Sequence, residues 1–238
     1  MPANPIDPIF VLDSREKFQP LAVQSVEAVE GAALIESGGT RVDLRLNGLP
    51  EKGGWMDFPP NPENYEPELR SHFGRVGYRR EQKGGGLTWV QYWVWYIHNP
   101  KRFVVAGDHE GDWEFVQVAY AGETPVCMTL SQHHSGGARM WWNVKKREED
   151  KRPLVYVARD SHANFFRPID EIPEFGDEAD GKGEELDDIT WTDFGDWATW
   201  AGRWGHSSGP GRSPQSPGCQ GDRWSAPHRY HTIARIQL

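Results

Sequence analysis

Cysteine, long apolar runs and positive charge are all scarce in this chain, and each shortage removes a class of function. Cys127 lies within an apolar run and Cys219 in a Gly/Pro/Ser-rich stretch, and two cysteines in 238 residues cannot build a disulfide framework. No run approaches the roughly 18 apolar residues that a helix needs to cross a bilayer. The start, Met1-Pro2-Ala3-Asn4-Pro5, lacks the charged and apolar regions of a secretory signal. The expectation is a soluble, cytoplasmic protein without a transmembrane segment, with a secreted mature form as the alternative. Lys and Arg number 26 against 35 Asp and Glu, giving a net charge of -9. Such a chain offers no electrostatic footprint to nucleic-acid phosphates, so nucleic acid is excluded as a partner. Lys145-Lys146-Arg147 is followed at once by Glu148-Glu149-Asp150 and reads as a self-neutralising, solvated loop. Phosphate-loop, dinucleotide and nucleophile-elbow signatures are missing, which argues against nucleotide, NAD and serine-hydrolase chemistry.

Present in abundance are aromatics (12 Trp, 10 Phe, 7 Tyr) and turn formers (26 Gly, 18 Pro), a balance suited to short strands joined by elaborate loops. The expected fold is mostly β: a single-domain β-sandwich over residues 1–238 with few short helices and long surface loops at about 171–188 and 207–221. Near-helical spacing of Leu21, Ala22, Val26 and Val29 predicts one short helix. Strict alternation over 40–46 places Val42, Leu44 and Leu46 on one face of a half-buried strand. The stretch 87–97 is apolar almost throughout and reads as a strand buried on both faces. Further strands are expected at 113–120, 126–132, 138–144 and 154–158, with Trp113, Phe115, Val155 and Val157 entering the core.

His109-Glu110-Gly111-Asp112-Trp113-Glu114 carries the chemistry. Residues two apart on a strand share a face, so Asp112 and Glu114 project together. Gly111 can take positive φ and let the chain bring His109 toward them. Two carboxylates and an imidazole suit a divalent cation, which keeps both carboxylates ionised. An oxygen-rich set favours Mg²⁺ or Ca²⁺, with Mn²⁺ or Zn²⁺ as alternatives. Asp108 and Asn99 are neighbouring candidates. His162, in Asp160-Ser161-His162-Ala163-Asn164, and His133, beside His134, follow strands and are candidates for a second imidazole or a catalytic acid or base.

Four blocks resemble the vacuolar protein sorting-associated protein 62 family: 13–20, 108–114, Ser131-Gln132-His133 and Ser161-His162-Ala163-Asn164, joined by a late Gly202-Arg203-Trp204-Gly205. The block 108–114 is also similar to the His-Asp-Trp-Glu centre of the necrosis- and ethylene-inducing toxin family. That resemblance implies an aromatic β-sandwich and a divalent cation held by His109, Asp112 and Glu114. A further family aspartate has no clear counterpart, Asn99 being its substitute candidate. Glu110-Gly111 replaces an Arg-His pair of the toxin motif, a departure that bears on membrane-damaging activity.

Three functions remain open. The first is a divalent-metal-binding module recognising a polar small molecule, glycan or lipid headgroup in a strand-end pocket, with Trp93, Trp95, Trp141 and Trp142 as possible stacking faces. The second is a metal-dependent hydrolase, lyase or cyclase using His162 or His133. The third is a trafficking or scaffold protein whose metal is structural. The blocks around Asp112, His133 and His162 are expected to converge on one pocket.

Overall fold

The apolar run around Trp93 forms the longest strand pair of the fold, Leu87–Asn99 against His109–Ala121. The structure is a computed structural model that describes residues 2, 5–100, 108–133, 135–172, 176–207, 213–233 and 235–236. These two strands sit in a seven-stranded sheet ordered Thr190–Thr192, Val76–Gly84, Leu87–Asn99, His109–Ala121, Thr124–Gln132, Ser135–Met140, Arg235–Ile236. Its interior pairs are antiparallel, and its two outermost strands join in parallel.

A second sheet of four strands runs Asn164–Phe165, Leu154–Val157, Ile9–Leu12, Glu185–Leu186. Parallel pairing sets Phe10 beside Val155 and Leu12 beside Val157. By the two-residue period these side chains share one face and enter the main core. Ile9, Val11, Leu154 and Tyr156 face the other way, into a smaller cluster that includes Ala179 from the Ile169–Ile172/Asp177–Ala179 hairpin. Two small sheets and a few short helices, among them Glu66–Phe73 and Pro227–Ile233, complete a mostly β sandwich.

The large sheet has two unlike faces. Tyr92 and Tyr120 bond through their hydroxyls to the backbone of Ile6, and the Tyr92 ring meets Trp191, so this face looks toward the four-stranded sheet. Trp93, Trp95, Trp113 and Phe115 occupy the opposite face. Trp197, Trp204, Trp224 and Tyr230 cover them in a layer of edge-on and stacked rings. Trp113, Phe115, Val155 and Val157 are all buried as expected, but on two sides of the large sheet. It is Asp112 and Glu114, one residue out of phase with Trp113, that point between the sheets. Complete burial of Trp93 and Trp95 rules them out as ligand-stacking faces.

Several local expectations change. The strand expected over 40–46 is only Arg41–Asp43, an exposed edge of a three-stranded sheet, and Leu46 begins a 3-10 turn. Ser135–Met140 ends before Trp141 and Trp142, which form a 3-10 turn instead of continuing the strand. The acidic stretch 171–188 is not a plain loop, because Asp177–Ala179 and Glu185–Leu186 pair as strands and bury Asp177, Ala179 and Leu186. Within 207–221, Ser213 and Ser216 are buried. Residues 173–175, 208–212 and His134 lie outside the described residues. The helix expected near Val26 is a 3-10 helix, Val23–Ala28. Among the described residues, no helix is long and apolar enough to cross a membrane.

Candidate functional site

Gly111 sets the local geometry of the motif. Its φ of 63° lies in the left-handed region, and a β-carbon there would collide with the Trp204 carbonyl oxygen. The bend lets Glu110 bond through its amide to the His206 carbonyl (2.8 Å), and His109 bridges to Ser207. Gly205 is equally constrained, since a β-carbon there would meet the Glu110 side chain. The late block 202–205 is thus a backbone brace for the motif.

Asp112 and Glu114 remain 7% and 4% exposed at the inner face of the sheet. Asp112 Oδ2 accepts from His162 Nδ1 at 2.9 Å and from Asn99 Nδ2 at 3.2 Å. Glu114 Oε2 accepts from the Ser131 hydroxyl and, at 3.5 Å, from Asn164 Nδ2. Burial works against charge on Asp112, yet the bond to His162 holds its pKa below the ordinary carboxylate value. Glu114 has no such cation bonded to it. Burial and the nearby Asp112 push its pKa up to about 8. His109 Nδ1 lies 2.9 Å from the Gly111 carbonyl oxygen, which assigns the proton to that nitrogen and leaves Nε2 with a lone pair. A backbone carbonyl bound to one ring nitrogen is how metal-ligating histidines are commonly oriented.

His162 lies at the centre of the second block. Its ring stacks on Tyr96 with centroids 3.8 Å apart, and its Nε2 faces Glu16 Oε1 at 3.6 Å. Burial lowers its affinity for a proton, but Glu16 and Asp112 outweigh this and raise its pKa to about 10. His162 is therefore a buried imidazolium between two carboxylates. At 0% exposure, with both nitrogens turned to carboxylates, it has no route to a ligand for the acid or base role expected of it. His133 Nε2 meets Asp177 Oδ2 at 2.7 Å, and Ser161 bonds the other Asp177 oxygen at 2.6 Å.

The three blocks do converge, linked by Asp112 with His162, Glu114 with Asn164, and His133 with Ser161 through Asp177. What they form is a buried polar core. The open cleft lies one layer outward, about 430 Å³ in volume, lined by Lys17, Tyr65, His98, Asp108, Glu110 and His206 among others. Neither His162 nor His133 lines it. Asp108 accepts from His98 Nε2 at 2.8 Å at its edge. Glu110 accepts the amides of His206 (2.9 Å) and Phe58 (3.2 Å), while burial and then the Asp57 and Asp108 charges raise its pKa to about 7. Among the described residues, no three His, Cys, Asp or Glu side chains are gathered closely enough, as placed, to hold a metal ion.

No family model matches the chain. It is 25% identical over 182 residues to the vacuolar protein sorting-associated protein TDA6 of Saccharomyces cerevisiae, across 58% of this chain and 39% of that protein. The matched region thus spans well under half of the yeast protein's length. The chain resembles that yeast protein. Similar solved structures include NLPPya in complex with glucosamine, at TM-score 0.45 and 13% identity, covering 98% of this chain and 88% of that one. Necrosis and Ethylene inducing Protein 2, from the agent of cocoa's Witches Broom disease, gives TM-score 0.41 and 15% identity over 78% and 70% of the two chains. At such scores these likenesses assign no residue a role.

Sequence reasoning placed Asp112, Glu114, Asn99 and His162 in one cluster but passed over Glu16, Glu110, Ser131 and Asp177. Glu16 lies within the 13–20 block, and its distance from the motif along the chain leaves no local signal. Glu110 sits inside the motif, but there the sequence marked it only as a departure from the toxin pattern.

Proposed function

We propose that this β-sandwich binds a divalent cation between the sheets and uses it, with the adjoining cleft, to recognise a small polar ligand such as a glycan or lipid headgroup. The observation that carries the reading is the pairing of two buried carboxylates, Asp112 and Glu114, on one strand face beside a histidine whose Nε2 is left bare. The donor chemistry fits a hard cation: two carboxylates, the Ser131 hydroxyl, and Asn164, whose Oδ1 is buried without a hydrogen-bond partner. Asp112, Glu114 and His109 Nε2 would hold the ion, with Asn99 and Asp108 nearby. Because these side chains do not converge as placed, loading includes an adjustment of the His109 ring. When bound, Mg²⁺ or Ca²⁺ would neutralise the paired carboxylates and fix the strand that carries Asp108 and Glu110 into the cleft.

The cleft supplies selectivity. Asp108, Glu110, Glu63 and Asp160 outnumber Lys17 among its lining charges, which suits ligands rich in hydroxyl or amine donors. Binding is preferred to catalysis through His162 or His133, because neither side chain reaches the cleft. One observation supports an enzyme as the second reading: Glu110, with a pKa near neutrality, borders the cleft beside His98. A structural metal in a trafficking scaffold is the third.

A thermal-shift and calorimetric panel of hexosamines, uronic acids and inositol phosphates, run with Ca²⁺, with Mg²⁺ and with chelator, tests this reading. The expected result is a hit that needs the cation and weakens about ten-fold or more in Asp108→Asn. Hits that persist unchanged in chelator overturn the cation's role. Product formation from a hit, lost in Glu110→Gln, would move the assignment to the enzyme reading.

A further inference from the structure

The sequence marked Lys145-Lys146-Arg147 as neutralised by its own acids, and for Arg147 this holds: it pairs with Asp150 at 2.6 Å and Asp187 at 2.7 Å. The two lysines are different. Among the described residues neither has an acidic partner; Lys146 Nζ donates to the carbonyls of Trp141 (2.6 Å) and Val144 (2.9 Å) and lies over the Trp141 ring. Lys145 is exposed, with its Nζ 5.5 Å from the centre of the Tyr156 ring. Arg139, in the strand before the turn, points to the strand's other face, where it packs on Phe166 near Arg167. Lys145 and Lys146 thus stand beside Trp142 in sequence without acidic partners among the described residues, on a chain of net charge -9.

The same turn carries apolar surface. Trp142 is 72% exposed and Met140 39%, two of the four large hydrophobic side chains exposed among the described residues. The 3-10 turn Trp141–Asn143 holds Trp142 outward, and the two Lys146 bonds fix that turn from beneath. An exposed indole followed closely by lysines without acidic partners is the composition that seats at a negatively charged membrane surface: the ring enters the headgroup level while the cations meet lipid phosphates and carboxylates. We propose that Met140, Trp142 and Lys145, at the turn that follows the strand Ser135–Met140, form a docking surface for an anionic lipid bilayer. It shares no residue with the cleft and stands whether or not the cation reading does. Glu148 and Glu149, at the tip of the following turn, oppose the attraction and keep the association reversible and salt-sensitive.

Co-sedimentation with phosphatidylcholine vesicles, with and without phosphatidylserine, tests the surface on the whole protein in chelator. Binding only to the serine-containing vesicles is expected. Lys145→Gln should weaken it about five-fold and Trp142→Ala about ten-fold, with unchanged melting temperatures because both side chains are exposed. Glu148→Gln with Glu149→Gln should strengthen it. Brominated acyl chains should quench tryptophan fluorescence in the parent protein but not in Trp142→Ala. Absence of binding, equal binding to neutral vesicles, or indifference to Trp142→Ala overturns the proposal. Capture by polyglutamate that depends on Lys145 but not on Trp142 would also overturn it, assigning the surface to an acidic protein partner.

Discussion

Burying two carboxylates on one strand face makes opposite demands on Asp112 and Glu114. Asp112 keeps its charge because His162 donates to it, while burial and Asp112 itself hold Glu114 toward the neutral acid, with a pKa near 8. A carboxyl raised from 4.5 to about 8 by folding gives its full stabilisation below the lower value and loses it as pH climbs to the upper one. His162, raised from 6.5 to about 10, acts in the same direction, stabilising fully below 6.5 and less above. The melting temperature of the chelator-treated protein should therefore fall from about pH 5 to about pH 8, and Glu114→Gln should flatten much of that slope. A bound cation reverses the Glu114 contribution, since it favours the ionised form. A melting temperature that rises over that range in chelator would contradict this electrostatic account. His162→Ala leaves Glu16 and Asp112 facing each other's field without a counter-charge and should cost about 3–5 kcal/mol in denaturant unfolding. Asp112 and Glu114 were legible in the sequence because a two-residue period fixes a shared face. Glu16 was not, because only the docking of the segment after Leu12 onto the large sheet brings it to His162.

The strands that were legible are those whose side chains are apolar on both faces or alternate into a core: Leu87–Asn99 and Leu154–Val157 are found where the sequence put them. Arg41–Asp43 misled because its alternation, genuine in the sequence, lies on a sheet edge where Val42 stays exposed. Asp177–Ala179 and Glu185–Leu186 were hidden for the opposite reason. Each strand is only two or three residues long and turns few apolar side chains inward, so an acidic stretch conceals real pairing. The segments 202–207 and 213–216 matter most for the site, because they brace Gly111 and roof Trp113 with Trp204. The Trp204 indole N–H donates to Ser216 Oγ at 2.7 Å, and its ring meets Trp95, Trp113, Trp197 and Trp200. Trp204→Ala should cost about 3–5 kcal/mol and speed amide hydrogen exchange across His109–Trp113 before the rest of the sheet. Gly111→Ala should cost about 3 kcal/mol through strain and the collision with the Trp204 carbonyl. Exchange in Trp204→Ala rising evenly over the whole sheet would argue that the segments are ordinary core instead of a brace for the motif.

Across the whole molecule, the fold class followed from composition, since abundant aromatics and turn residues favour short strands packed through large side chains. Where the site faces did not follow, because a single residue of phase decides whether Asp112 and Glu114 point between the sheets or out beneath the C-terminal aromatic layer. The architecture keeps the polar core closed and offers a separate, mostly acidic cleft beside it, so the cation and the ligand have different neighbours. That arrangement makes the cation accountable on its own, without knowledge of the ligand. Calorimetric titration of chelator-stripped protein with Ca²⁺ and with Mg²⁺, repeated on Asp112→Asn and Glu114→Gln, is the decisive measurement. One cation per chain is predicted, with affinity reduced at least about ten-fold in each variant. No heat of binding for either ion in the parent protein, or binding that both variants retain in full, would contradict it.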